Sequence, residues 1–178
     1  ILNHSGAKVL VFDSEFADLV KSIKDQTQGV LRYVQVVDTA PKSDDIDGPE
    51  YEEFLASSPI GEHRRSLDSE TDAIAINYTS GTTGLPKGVQ YHARGAYLNA
   101  LGEVMECGMN WRGIYLWTLP MFHCNGWCFT WGVTALGATH VCLRKVNPKE
   151  IYEIIKLRQV THMCCAPTIP VSYTHLTL

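Results

Sequence analysis

An apolar, strand-like run, Ala73-Ile74-Ala75-Ile76-Asn77, opens directly into Tyr78-Thr79-Ser80-Gly81-Thr82-Thr83-Gly84-Leu85-Pro86-Lys87-Gly88. A strand that empties into so glycine-rich a loop can turn several backbone N–H groups toward one point. The hydroxyls add donors and Lys87 adds a compact positive charge, an inventory suited to a polyphosphate. Pro86 restrains the backbone just before Lys87, which a solvated linker does not require. The spacing departs from the Walker arrangement, because two residues separate Gly84 from Lys87 where that pattern has glycine and lysine adjacent. An ordinary P-loop NTPase is disfavoured; phosphate binding is not.

The rest of the chain alternates strand and helix signals. Residues 7–12 and 31–37 are apolar runs, with Phe16, Leu19, Val20 and Ile23 at helical spacing between them. From Asp38 to Asp72 the sequence is polar and acidic, and only a short helix at 51–55 is expected in this surface connection. After the glycine loop, Ala93, Ala96, Tyr97, Ala100, Leu101, Val104 and Met105 keep the spacing of an amphipathic helix. Strands are predicted at 114–119, 139–143 and 161–166. A buried helix is predicted at 125–136, and Asn147-Pro148-Lys149-Glu150 reads as a capped helix start. Repeated βα units of this length imply an α/β fold, a mainly parallel sheet with flanking helices.

The formal net charge of −4 gives no global basic field, so nucleic acid is not an expected partner. No apolar run reaches the ~18 residues of a membrane span. The six cysteines show no CxxC pair, which favours reduced thiols in a cytoplasmic setting. Neither His123 with Cys124 and Cys128 nor His162 with Cys164 and Cys165 has the ligand spacing of a usual zinc site, so no metal ligands are assigned.

A second segment, Leu119-Pro120-Met121-Phe122-His123-Cys124-Asn125-Gly126-Trp127, lies where a predicted strand ends and the buried helix begins. In open α/β sheets, ligands collect at the carboxyl ends of strands. The glycine loop follows its own strand in the same way, so the two segments are expected to face one crevice.

Residues 78–88 resemble the signature loop of the adenylate-forming, or AMP-binding, superfamily, which includes acyl-CoA synthetases, luciferases and peptide-synthetase adenylation domains. The resemblance assigns Thr79, Ser80, Gly81, Thr82, Thr83, Gly84 and Lys87 to the β- and γ-phosphates of ATP and the departing pyrophosphate. Residues 119–127 are similar to a stretch found in the fatty-acid branch of acyl-CoA synthetases. That likeness places His123 beside the substrate carboxylate, with Asn125 and Gly126 in the same substrate-binding segment. It makes Trp127 a gate on the acyl tunnel. The run from Tyr91 to Tyr97 is similar to the medium-chain and methylthio-propionate ligase group.

What the resemblance implies is ATP-dependent activation of a carboxylic, fatty-type acid to an acyl-adenylate, followed by thioester formation with CoA. It covers residues 1–171, a partial N-terminal domain. The Glu that binds Mg2+ and the small C-terminal domain fall outside the 178 residues, so the chain is expected to be a fragment, inactive alone. A homodimer is compatible with the full-length protein. Residues 172–178 resemble translated adapter sequence and are expected to be non-native. Two alternatives stand: a non-catalytic nucleotide-binding relative, and an adenylating or luciferase-type enzyme with another acceptor.

Overall fold

The computed structural model describes residues 1–61, 67–81 and 84–166. Contacts divide the chain into two units, Ile1–Ser66 with Ser80–Gly88, and Leu67–Thr79 with Val89–Leu178.

In the first unit a short helix, α1 (Leu2–Ser5), precedes β1 (Val9–Asp13), α2 (Ala17–Lys24) and β2 (Arg32–Val36). The two strands are parallel, with Val9 opposite Arg32 and Asp13 opposite Val36. Asp13 caps the 3-10 turn at Ser14–Phe16 by accepting from the Glu15 N–H, as its position before the helix suggests. Phe12, Val20, Tyr33 and Ile46 form the core. Ile46 lies in the stretch expected to be a surface connection, yet it is only 2% exposed. Gln35, fully buried beside it, makes that possible. Its Nε2 donates to the Ser43 and Ile46 carbonyls at 2.9 and 3.3 Å, and its Oε1 accepts from the Ser43 N–H. The amide is satisfied on both ends, so it can be buried at low cost. A capping box between Glu50 and Glu53 starts α3 (Tyr51–Ala56).

In the second unit β3 (Ala73–Thr79) is the strand expected before the glycine loop. It is paired with β4 (Lys87–His92), whose first two residues belong to the first unit. The sequence pattern does not forecast β4. His92 then caps α4 (Ala93–Glu106), its Nδ1 accepting from the Gly95 N–H at 2.9 Å. The apolar stripe of α4 is only partly buried: Ala96, Ala100 and Val104 are interior, whereas Tyr97 and Met105 are about two-thirds exposed or more.

β5 (Ile114–Trp117) is followed by a single turn, α5 (Cys124–Trp127), then α6 (Phe129–Ala135), β6 (Thr139–Cys142), α7 (Pro148–Arg158) and β7 (His162–Cys164). β5 is central, with β6 and β7 parallel to it on either side. Asn147 caps α7 through the Lys149 and Glu150 N–H groups, and Pro148 opens the helix, as the motif predicts. Val104, Met109, Tyr115, Trp117, Phe129 and Val133 form the main core. Gly132 lets α6 lie close on α4, since a Cβ there would come within 2.8 Å of Val104 Cγ1. The fold is α/β with parallel sheets, as expected, although among the described residues the strands form three small sheets.

Candidate functional site

The glycine loop leaves β3 at Thr79 and re-enters a strand at Lys87. Gly81 has φ +55° and Gly84 φ +83°, both in the region glycine enters without strain. At Gly81 the need is also steric. A Cβ there would collide with the Leu85 carbonyl oxygen and sit 3.6 Å from Lys87 Cγ. The Leu85 carbonyl therefore lies against Gly81, with the lysine stem beside it. Ser80, Leu85 and Lys87 are exposed. Thr82 and Thr83 lie outside the described residues.

The second segment corrects one expectation. The stretch from Asn125 to Leu136 is apolar nearly all round, but a single helix does not form. Five successive residues have positive φ: Cys124 at 51°, Asn125 at 47°, Gly126 at 57°, Trp127 at 57° and Cys128 at 66°. This is a left-handed turn. For an L-residue that region costs about 1–2 kcal/mol, and only Gly126 is exempt. Asn125 adopts it more readily than most. The rest of the cost must be offset by contacts that hold the turn. The Thr130 hydroxyl donates to the Asn125 carbonyl at 3.2 Å, and Asn99 Nδ2 donates to the Trp127 carbonyl at 3.3 Å. Asn125 Nδ2 is buried with no hydrogen-bond partner.

The turn forms one wall of a cavity of about 460 Å³ lined by Cys124, Trp127 and Cys128. Tyr91 and His92 of β4 line a second side, and Ala96, Asn99 and Glu103 of α4 a third. Trp127 is about half exposed, so its indole is available to whatever enters. Burial, and then hydrogen bonding to Cys124, push the Tyr91 phenol above its ordinary range, so it stays a neutral hydroxyl. Burial likewise pushes the Cys128 thiol up. His123 is exposed and does not line this cavity; its Nε2 lies 3.9 Å from Cys124 Sγ. The lining thus mixes the Trp127 indole and Ala96 with hydroxyl, thiol, imidazole and amide groups and one carboxylate, Glu103.

Residues 1–174 match the family described as AMP-binding enzyme. The chain belongs to that family. It is 41% identical over 176 residues to 4-hydroxybutyrate–CoA ligase 2 of Metallosphaera sedula, covering 97% of this chain and 32% of that protein. It is also 41% identical over 189 residues to the peroxisomal trans-cinnamate:CoA ligase of Petunia hybrida, covering 95% of this chain and 32% of that protein. Among solved structures, a long-chain-fatty-acid-CoA ligase from Archaeoglobus fulgidus superposes with a TM-score of 0.80 at 25% identity, covering 98% of this chain and 33% of the other. An acyl-CoA synthetase from Brucella canis gives 0.72 at 20% identity, covering 97% and 31%, a likeness of fold alone. The chain spans about a third of the length of the curated relatives it matches.

Within this member of the AMP-binding enzyme family, the structure brings Trp127 to a cavity and packs Gly126 against Trp117. It buries Asn125 Nδ2 and leaves His123 on the surface. The sequence reading does not single out Asn99, Glu103, Cys124 and Cys128 as lining residues. Asn99 and Glu103 recur at i, i+4 on α4, a spacing visible in the sequence but carrying no chemical signature. Among the described residues no group of three His, Cys, Asp or Glu side chains is placed to hold a metal ion, and no helix is long and apolar enough to cross a membrane.

Proposed function

We propose that the full-length protein activates a carboxylic acid with ATP, forming an acyl-adenylate and pyrophosphate, and then transfers the acyl group to the thiol of CoA. In the first step a carboxylate oxygen attacks the α-phosphorus and the bond to the β-phosphate oxygen breaks. In the second a thiol sulfur attacks the acyl carbon, AMP departs with the bonding electrons, and the thiol proton passes to solvent. Membership of the AMP-binding family supports this reading, and one observation carries it: Gly81, folded where no side chain fits, with Lys87 beside it.

The backbone N–H groups of the glycine loop and Lys87 would face the pyrophosphate, where positive charge matters most as negative charge accumulates on the leaving group. Thr79, Ser80, Thr82, Thr83 and Gly84 complete the proposed cradle. Residues 78–88 contain no carboxylate, so the protein ligand of any Mg2+ is proposed to lie elsewhere in the full-length protein. His123, Asn125 and Gly126 are assigned to the acid's carboxylate end, and the cavity at Trp127 to its acyl portion. Six free cysteines fit a reducing setting such as the cytoplasm.

The test is pyrophosphate release by the full-length protein across a panel of carboxylic acids, with the products identified in the presence of CoA, a carrier thiol, or oxygen. Acid-dependent release and an acyl-CoA product are expected. ATP turnover that ignores the acid would overturn the proposal. For the acyl portion, Trp127→Ala removes apolar contact worth about 1–2 kcal/mol. It should raise the acid's KM about 5- to 30-fold for long acyl chains and much less for acetate; unchanged chain-length preference would remove Trp127 from this role.

A further inference from the structure

The left-handed turn needs something to hold it, and the Trp117 ring lies directly on Gly126. A Cβ on Gly126 would run into that ring, with Cη2 only 2.9 Å away. Trp117 is 4% exposed, and its Nε1 donates to His140 Nδ1 at 2.9 Å. The two rings are nearly parallel, 8° apart with centroids 5.8 Å apart. An indole N–H can only donate, so Nδ1 of His140 must be the unprotonated nitrogen. Thr134 Oγ1 already donates to the Thr130 carbonyl at 2.7 Å and so accepts from His140 Nε2 at 3.0 Å. Both imidazole nitrogens are committed in the neutral form. A second proton on Nδ1 would face the indole N–H and break that bond.

Resting on the acid-activating reading above, we infer that His140 is a positioning residue: in its neutral form it holds Trp117 against Gly126, and so fixes the turn that follows His123 and carries Trp127. Protonation of His140 releases the indole and loosens the turn. His140 is exposed overall, but packing of its ring on Trp117 desolvates it in part and lowers its pKa below the ordinary imidazole value, which is about 6.5. A group whose folded pKa is depressed contributes stability above its unfolded pKa. That stability is lost as pH falls from about 6.5 through the folded value. The groups facing His140 fit this direction. Its register partner Tyr115 on β5 is held neutral, chiefly by burial. α6 presents Thr130 and Thr134 and has no ionisable residue. On the remaining side His140 shares a surface depression with Cys142 and with the cation Arg158 of α7.

The experiment uses the full-length protein with His140→Asn, which can still accept from the indole but does not titrate, and Trp117→Phe, which keeps a ring but has no donor. The ratio of kcat/KM for the acid at a pH of about 7.5 to that at about 5.5 is expected to be several-fold smaller in both variants than in the wild type, since a single titration gives up to about tenfold per pH unit. An unchanged ratio overturns the inference. The second arm does not depend on the reaction. In 15N-labelled protein the Trp117 indole N–H resonance, assigned by its loss in Trp117→Phe, is expected to move with the His140 titration and to stay still in His140→Asn. A resonance that does not move overturns the relay. If it moves while no acid is activated, the proposed function fails and the relay stands.

Discussion

Lys87→Ala in the full-length protein is expected to slow ATP–pyrophosphate exchange by about 10²–10³-fold, the usual effect of removing one preorganised group that meets charge developing in a transition state. The side chain is exposed and opens β4, so the substitution should leave the denaturation midpoint close to that of the wild type. That combination separates a chemical role from a structural one. Lys87→Arg keeps the charge but not the compact ammonium, and intermediate exchange is expected. Near-normal exchange in Lys87→Ala would remove the residue from the pyrophosphate cradle.

Phe129→Ala should have the largest effect on stability. Phe129 is fully buried and stacks on Tyr115, with centroids 4.8 Å apart and planes 25° apart. Truncating such a ring costs about 3–5 kcal/mol, against a total domain stability of about 5–15 kcal/mol. Phe129 is also the first residue of α6, immediately after the left-handed turn. Its loss therefore frees the exit of that turn as well as emptying the core. Equilibrium denaturation of the full-length protein should show a large drop in midpoint for Phe129→Ala and a smaller one for Phe129→Leu. A change under about 1 kcal/mol would mean that the core closes around the gap far better than the packing suggests.

Much of the fold can be read from local chemistry. α7 announces itself through Asn147-Pro148 and Glu150, and α4 through its apolar repeat, because both depend on nearest neighbours along the chain. The position of the glycine loop after β3 is legible for the same reason. What escapes the sequence is set by distant contacts. Tyr97 and Met105 fit the α4 stripe by spacing, but α6 meets α4 through Gly132 and covers only the Ala96, Ala100 and Val104 side. The turn at 124–128 is hidden by its own hydrophobicity, since apolar residues from Phe129 onward extend a helical pattern backward across it. The Asn125-Gly126 pair was the available signal, as both residues tolerate positive φ and that dipeptide marks turns. Nothing in the sequence joins Trp117 to His140, which stand on neighbouring strands 23 residues apart.

The buried thiol in the cavity wall has a consequence for chemical safety. In the proposed reaction the acyl-adenylate is a strong acylating agent, and a thiolate within reach would capture the acyl group and leave the protein covalently blocked. Cys128 lines the cavity assigned to the acyl portion, and burial favours its protonated form. A protonated thiol is a poor nucleophile. On the proposed activity, Cys128 can then line the wall without competing with the incoming thiol for the activated carbon.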